Sequence, residues 1–221
     1  MSLPTHPPLD SAPRWERRKE HRPAELLDAA LDCFVERGYA ATRLEDVAAR
    51  AGVSKGTLYL YYNGKDDLFK AVVRSNALPL IKAFRARIDL STLGSAELLG
   101  QFFEDWWRQV GETRLAGIAK LIVGEAGNFP EVTRFFFDEV TLPTWRLLGS
   151  ILERGIAAGE FRPVDVEAAT VLWMSPLILK AIWIRSIAPT CGEVEVIPTD
   201  RFIKAHTELV LAALRPVGDP S

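Results

Sequence analysis

In the stretch "VAARAGVSKGTLYLYY", residues 47–62, a lysine, a threonine and three tyrosines crowd beside a Gly-Val-Ser break. Most of the chemistry on offer is hydrogen-bond donation. Lys55 carries an ammonium that can bond base edges, guanine in particular. Thr57, Tyr59 and Tyr61 offer hydroxyls to phosphates or bases, and the Tyr59 ring can press on a thymine methyl. Gly56 has no side chain, so the backbone there can approach a duplex. Lys65 opens the next helical pattern, where an ammonium and free amides together suit a phosphate. Tyr62 follows Leu58 at i+4 on the inner face and reads as a packing residue.

Catalysis has little to work with. The histidines are His6, His21 and His206, scattered and mostly near the ends. The sequence has no phosphate-cradling glycine loop, no zinc-ligand spacing and no nucleophile elbow. The expectation is a protein that is not an enzyme and uses no cofactor and no metal. The two cysteines, Cys33 and Cys191, have no neighbour at ligand spacing, so no disulfide framework is indicated and a cytoplasmic location is expected. Cys33, beside Phe34 in a helical pattern, reads as a small buried hydrophobe. Use of the Lys55 segment against another protein is disfavoured, because protein interfaces are depleted in lysine.

Elements that could position these groups are visible around them. Residues 1–13 are proline-rich and lack an apolar signal-peptide core, so a flexible leader is expected, followed by a charge-dense arm, "RWERRKEHR", at 14–22. The arm is either a solvated charge run or a further DNA contact. Pro23 suits the first turn of a helix that carries Leu27, Ala30, Phe34 and Val35 and stops at Gly38. Thr42 reads as the N-cap of a second helix, whose apolar stripe is Leu44, Val47, Ala48 and Ala51. Gly52 supplies the turn, and Ser54 caps a third helix over 55–61. Ala48 is small enough for a close crossing, and Val47, Val53 and Leu58 fill the wedge between the two helices. This is the helix-turn-helix pattern, whose second helix can enter a major groove.

Beyond Lys65 only helical patterns follow, at about 65–90, 95–110, 114–127, 130–141, 144–158, 165–187 and 200–214. Pro79 is a candidate bend, and Pro143 a candidate break. "EVEVI" alternates but is too short and isolated for a sheet. The fold class predicted is all-α: an N-terminal three-helix helix-turn-helix unit and a larger C-terminal helical bundle. The boundaries expected are 1–21 for leader and arm, 22–68 for the DNA-binding unit and 69–221 for the bundle. The net charge of −2 is unevenly spread: residues 1–65 carry 10 basic and 9 acidic side chains, the remainder 17 and 20. The longest apolar run, 171–184, is shorter than the ~20 residues of a membrane span and contains Pro176 and Lys180, so it reads as a buried helix with no membrane role.

The segment "GYAATRLEDVAARAGVSKGTLYLYYNGKDDLF", residues 38–69, resembles the TetR family of transcription regulators nearly throughout. The resemblance implies a dimeric regulator, most often a repressor, that reads a near-palindromic double-stranded DNA operator and answers to a small-molecule effector. It implies that Thr42 is a phosphate-contacting cap. It also implies that Lys55, Gly56 and Tyr59 face bases while Thr57, Tyr61 and Lys65 hold the backbone. Glu45 departs from the family, which often has a basic or polar residue there; a carboxylate would repel phosphate or accept from cytosine N4. Leu60 is a second departure, where a polar or aromatic residue is common. The helices at about 165–187 and 200–214 are the expected homodimer contact. The stripe Phe202, Ile203, His206, Leu209, Val210 and Ala213 supports that expectation. Five of six tryptophans and eight of eleven phenylalanines lie past residue 100. Phe103, Trp106, Trp107, Phe137, Trp145, Trp173, Met174 and Trp183 are therefore the candidate ligand-binding residues. Glu125 continues the stripe Leu115, Ile118 and Ile122, as a ligand-orienting group or a structural hydrogen-bond acceptor.

Overall fold

The computed structural model describes residues 14–192 and 197–216, with side chains from residue 22 onward. The leader, the side chains of the arm up to 21 and nearly all of "EVEVI" lie outside the described residues. Everything described is helix, turn or loop, with no strand. The helices are α1 (Arg14–Ala41), α2 (Leu44–Arg50), α3 (Lys55–Tyr59), α4 (Lys65–Leu90) and α5 (Ser95–Trp106), then α6 (Ala116–Glu125), α7 (Pro130–Phe136), α8 (Leu142–Ala157), α9 (Val166–Ile182) and α10 (Thr199–Leu214).

Several expectations are met by local physics. Gly38 breaks α1 with φ 83° and ψ 171°, so the chain leaves the helical path there as expected. Gly52 adopts φ 66°, and the Val53 amide reaches back to the Ala48 carbonyl at 2.9 Å, closing the turn after α2. The Ser54 hydroxyl accepts from the Thr57 amide at 3.1 Å and caps α3. The fourth helix spans Lys65–Leu90 and continues through Pro79.

Other expectations need correction. Pro23 lies well inside α1, because the arm's backbone extends the helix back to Arg14. Pro143 breaks nothing: α7 runs into α8 through a wide turn at Phe137–Thr141. A proline lacks the N–H for an i→i−4 bond and crowds the preceding turn, and a locally widened helix makes room for it. Similar wide turns extend α5 through Trp107–Gly111 and α9 through Trp183–Ile187. With that extension and a further tight turn at Ala188–Thr190, the helical run reaches 25 residues, Val166–Thr190, which is long and apolar enough by composition to cross a bilayer. It is longer than its apolar run because Asp165 caps it by accepting from the Ala168 amide at 3.0 Å.

Two buried clusters organise the chain. One joins α1–α4 around Phe34, Leu58 and Phe69, and it also takes in Ile118, Leu121 and Val132 from α6 and α7. The other fills the bundle around Phe103, Leu148 and Leu177. Helix α4 belongs to both: Leu68, Phe69, Val72 and Val73 face the first, Phe84 the second. Helix α6 is strapped onto α1. Arg114 bridges to Asp28 and Asp32, and Gly117 lies so close to Val35 that a Cβ there would sit 2.5 Å from its side chain. The Glu125 carboxylate accepts from the Ala40 amide at 3.1 Å. Of the two roles open to Glu125, the structure assigns the structural one.

Candidate nucleic-acid interface and ligand cavity

Val47, Ala48 and Leu58 are buried where α2 and α3 cross, and Tyr62 is buried beside them. That wedge turns the opposite side of α3 outward. Lys55 and Gly56 are exposed, Tyr59 is 46% exposed, and Tyr61 and Leu60 also face solvent. Thr57 is half-buried, its hydroxyl 2.9 Å from that of Ser54. Five of the seven residues predicted to meet DNA thus lie on or next to one short helix, α3.

Thr42 does not join them. It is 1% exposed, and its hydroxyl donates to the carbonyls of Cys33 and Gly38 at 3.0 and 2.7 Å. The N-cap of α2 is Arg43, whose side chain makes no capping bond. Thr42 instead turns inward onto the carbonyls of α1 beside its break, so a phosphate cannot reach its hydroxyl in this conformation.

Lys65 also differs from expectation. Its ammonium donates to the carbonyls of Tyr39 and Ala40 at 2.8 and 3.0 Å and lies 4.6 Å from the Tyr39 ring centroid. Burial lowers its pKa from the ordinary lysine value, against an opposing effect of the Glu125 charge. The ammonium therefore tethers the start of α4 to the end of α1. The remaining cations of the unit are largely paired: Arg37 with Asp46 at 2.6 Å, Arg50 with Glu36 at 2.7 Å, and Lys55 with Glu45 in direct contact. The Glu45 contact raises the Lys55 pKa and lowers that of Glu45, the hydrogen bond between them being the main cause. Among the described residues, Arg43 is the one basic side chain between 37 and 65 with no hydrogen bond or ion pair. Sequence reading missed it; the available signal was a cation next to the first turn of α2, where backbone amides also point outward.

In the bundle, a cavity of about 110 Å³ lies between α4, the end of α5, α6, the α7–α8 turn and α9. Its lining is almost wholly apolar. Of the ligand-binding candidates it gathers Trp106, Trp145 and Met174. Phe103 and Trp173 pack elsewhere in the bundle, and Trp183 does not reach the cavity. Trp107 donates its indole N–H to Glu112 at 3.0 Å and faces a polar groove beside α10. Phe137 lies near the surface with its ring edge-on to Trp145. Sequence reading missed the α4 wall of Val73, Asn76, Ala77, Leu80, Ile81 and Phe84. Aromatic density pointed past residue 100, whereas this wall is mostly aliphatic.

A helix-turn-helix whose outer helix is bare, joined through α4 to a bundle holding an apolar cavity, defines a DNA-binding transcription regulator. The sequence signature of the bacterial regulatory proteins, tetR family, matches residues 26–72. That of the AefR-like transcriptional repressor C-terminal domain matches residues 97–215. The chain belongs to the TetR family. It is 30% identical over 158 residues to the HTH-type transcriptional repressor KstR2 of Mycolicibacterium smegmatis, covering 71% of this chain and 76% of that protein. It is 25% identical over 154 residues to the fatty acid metabolism regulator protein of Bacillus subtilis, covering 68% of this chain and 78% of that one. Among solved structures, FadR of B. subtilis in complex with stearoyl-CoA superposes with a TM-score of 0.69 at 19% identity, covering 87% of this chain and 99% of that one. A tetR-family regulatory protein from Rhodococcus RHA1 superposes at 0.70 with 22% identity, covering 88% and 97%. At these identities the superpositions show the fold.

Proposed function

We propose that this regulator is a homodimeric, cytoplasmic repressor released from a near-palindromic operator by a largely hydrocarbon ligand, a fatty acyl chain being the class best supported. The observation that carries this reading is the double membership of α4. One end is built into the helix-turn-helix core and the other forms a wall of the cavity. The cavity is on the scale of the ~150 Å³ apolar void that accepts benzene. A longer chain would enter only by parting α4 from the α7–α8 wall. Such a ligand favours a state with α4 displaced, which is the differential affinity that release requires. The names of the relatives point to lipid metabolism, and an apolar lining with Asn76, Thr141 and Thr144 as its polar residues suits a chain with one polar end.

The dimer reading rests on α9 and α10. Leu172 and Leu179 are 66% and 61% exposed on α9, and Leu209 is 72% exposed on α10. An apolar surface of that kind calls for a covering partner, and a second copy would bury it about a two-fold axis. On the DNA side, Lys55, Gly56 and Tyr59 are assigned to bases and Thr57, Tyr61 and Arg43 to the backbone.

The test is thermal unfolding with stearoyl-CoA, octanoyl-CoA and free stearate, alongside release of a selected operator duplex. A ligand at about 100 times its Kd stabilises by ~2.7 kcal/mol, roughly 5–10 °C for a domain of this size. Ala77→Trp, which fills the cavity, should abolish the shift. No shift with any chain length, or an undiminished one in Ala77→Trp, would remove the cavity from the mechanism.

A further inference from the structure

Glu45 is the conspicuous departure on the DNA face, a carboxylate standing among the groups assigned to a polyanion. The structure shows where its charge goes. Glu45 on α2 and Lys55 at the start of α3 are in direct contact, both about half exposed, with the Lys55 ammonium 5.7 Å from the Tyr59 ring centroid. Neither is held by any other ion pair among the described residues. The pair therefore presents an adjacent donor and acceptor to whatever α3 meets.

The major groove offers a matching edge. A guanine shows two neighbouring acceptors, N7 and O6, and its cytosine shows the N4–H donor beside them. O6 and N4 are hydrogen-bonded to each other, so they are separated by about 2.9 Å, the spacing an ion pair itself has. An A·T pair fits poorly. Its one groove donor, N6–H, lies between two acceptors, so a carboxylate reaching it meets the N7 lone pair.

We propose that Glu45 and Lys55 act as one reading unit for a single G·C base pair in each half-site, Lys55 donating to guanine and Glu45 accepting from cytosine N4. The carboxylate has a second effect. It keeps the ammonium off the phosphates, so that Lys55 contributes to sequence preference more than to general affinity. This inference rests on α3 being the groove-entering helix.

The test is selection from a random duplex library of roughly 30 base pairs, enough for two half-sites a helical turn apart, with full-length protein and with Glu45→Gln. Wild type should enrich half-sites with a fixed G·C pair. Glu45→Gln should relax that position by roughly 5- to 10-fold, the low end of what one good base contact discriminates. The same variant should bind unselected duplex more tightly, with a salt slope steeper by about 0.9 per protomer as Lys55 turns to a phosphate. Lys55→Met should lose the same G·C preference without the steeper slope. Unchanged preference at every selected position in Glu45→Gln would overturn the proposal. Wild type enriching no sequence at all would instead strike at α3 as the reading helix, and matching melting curves for the variants exclude misfolding as the cause.

Discussion

Replacing Lys65 by methionine separates two roles for its ammonium. Methionine keeps the apolar stem and removes the charge. In the free protein the ammonium makes two hydrogen bonds to carbonyls, at 2.8 and 3.0 Å, and stands over the Tyr39 ring. Charge-assisted bonds of this kind are worth about 1.5–3 kcal/mol each when buried, and a cation over a partly exposed ring adds ~0.5–1 kcal/mol. Lys65 is only half-buried, so water replaces part of what is lost. The expected net cost is about 2 kcal/mol. For a chain of this size that lowers Tm by roughly 4–8 °C. Binding to an unselected duplex, followed by fluorescence anisotropy across a salt series, should keep its slope. Had the ammonium neutralised a phosphate, the slope would fall by about 0.9 per protomer. A Lys65→Met protein with an unchanged melting midpoint and a shallower slope would refute the tether and restore the phosphate contact that sequence reading expected.

Other outcomes follow from single contacts. His206 is stacked near Phe202, edge-on to Phe103, with its Nε2 buried and unpartnered, and burial lowers its pKa from the ordinary 6.5. The unfolded chain therefore protonates it first. Its contribution is complete above pH ~6.5 and is lost as pH falls toward the native value, so His206→Phe should flatten that part of the acid unfolding profile. Thr42→Val leaves the Cys33 and Gly38 carbonyls without their donor and should cost about 1–2 kcal/mol in urea unfolding, whereas Thr42→Ser should cost less. Gly155→Ala would set a Cβ 2.1 Å from the Phe161 ring, which is buried. It should destabilise by about 1–3 kcal/mol, read as a lower urea midpoint with an unchanged slope.

The helix-turn-helix was more legible in the sequence than the cavity. Ser54, Gly52 and Gly38 each announce a backbone geometry that few other residues satisfy, so the turn and the caps could be read locally. Leu60 stands fully outward, as a residue replacing a polar surface position would. What escaped were pairings across the chain. Nothing near Lys65 shows that its ammonium reaches back to residue 39, and nothing near Thr42 shows that its hydroxyl turns inward rather than capping α2. Both depend on how α1 ends against α4. The cavity failed for a related reason. Aromatic density marks bulk, and bulk fills space as readily as it lines it: Phe103 is wholly buried in the packed bundle, while Ala77 and Ala119 leave the room that becomes the cavity.

The strapping of α6 onto α1 bears on how freely such proteins can be recombined. Ile118 and Leu121 of α6 and Val132 of α7 belong to the same buried cluster as the helix-turn-helix. A graft cut near residue 68 would strip that cluster of one wall and strand Arg114 opposite whatever replaced Asp28 and Asp32. Chimaeras that borrow this reading head for a foreign sensor must carry the facing surface of α6 with it; the transplantable module is a three-dimensional patch rather than a contiguous stretch of gene.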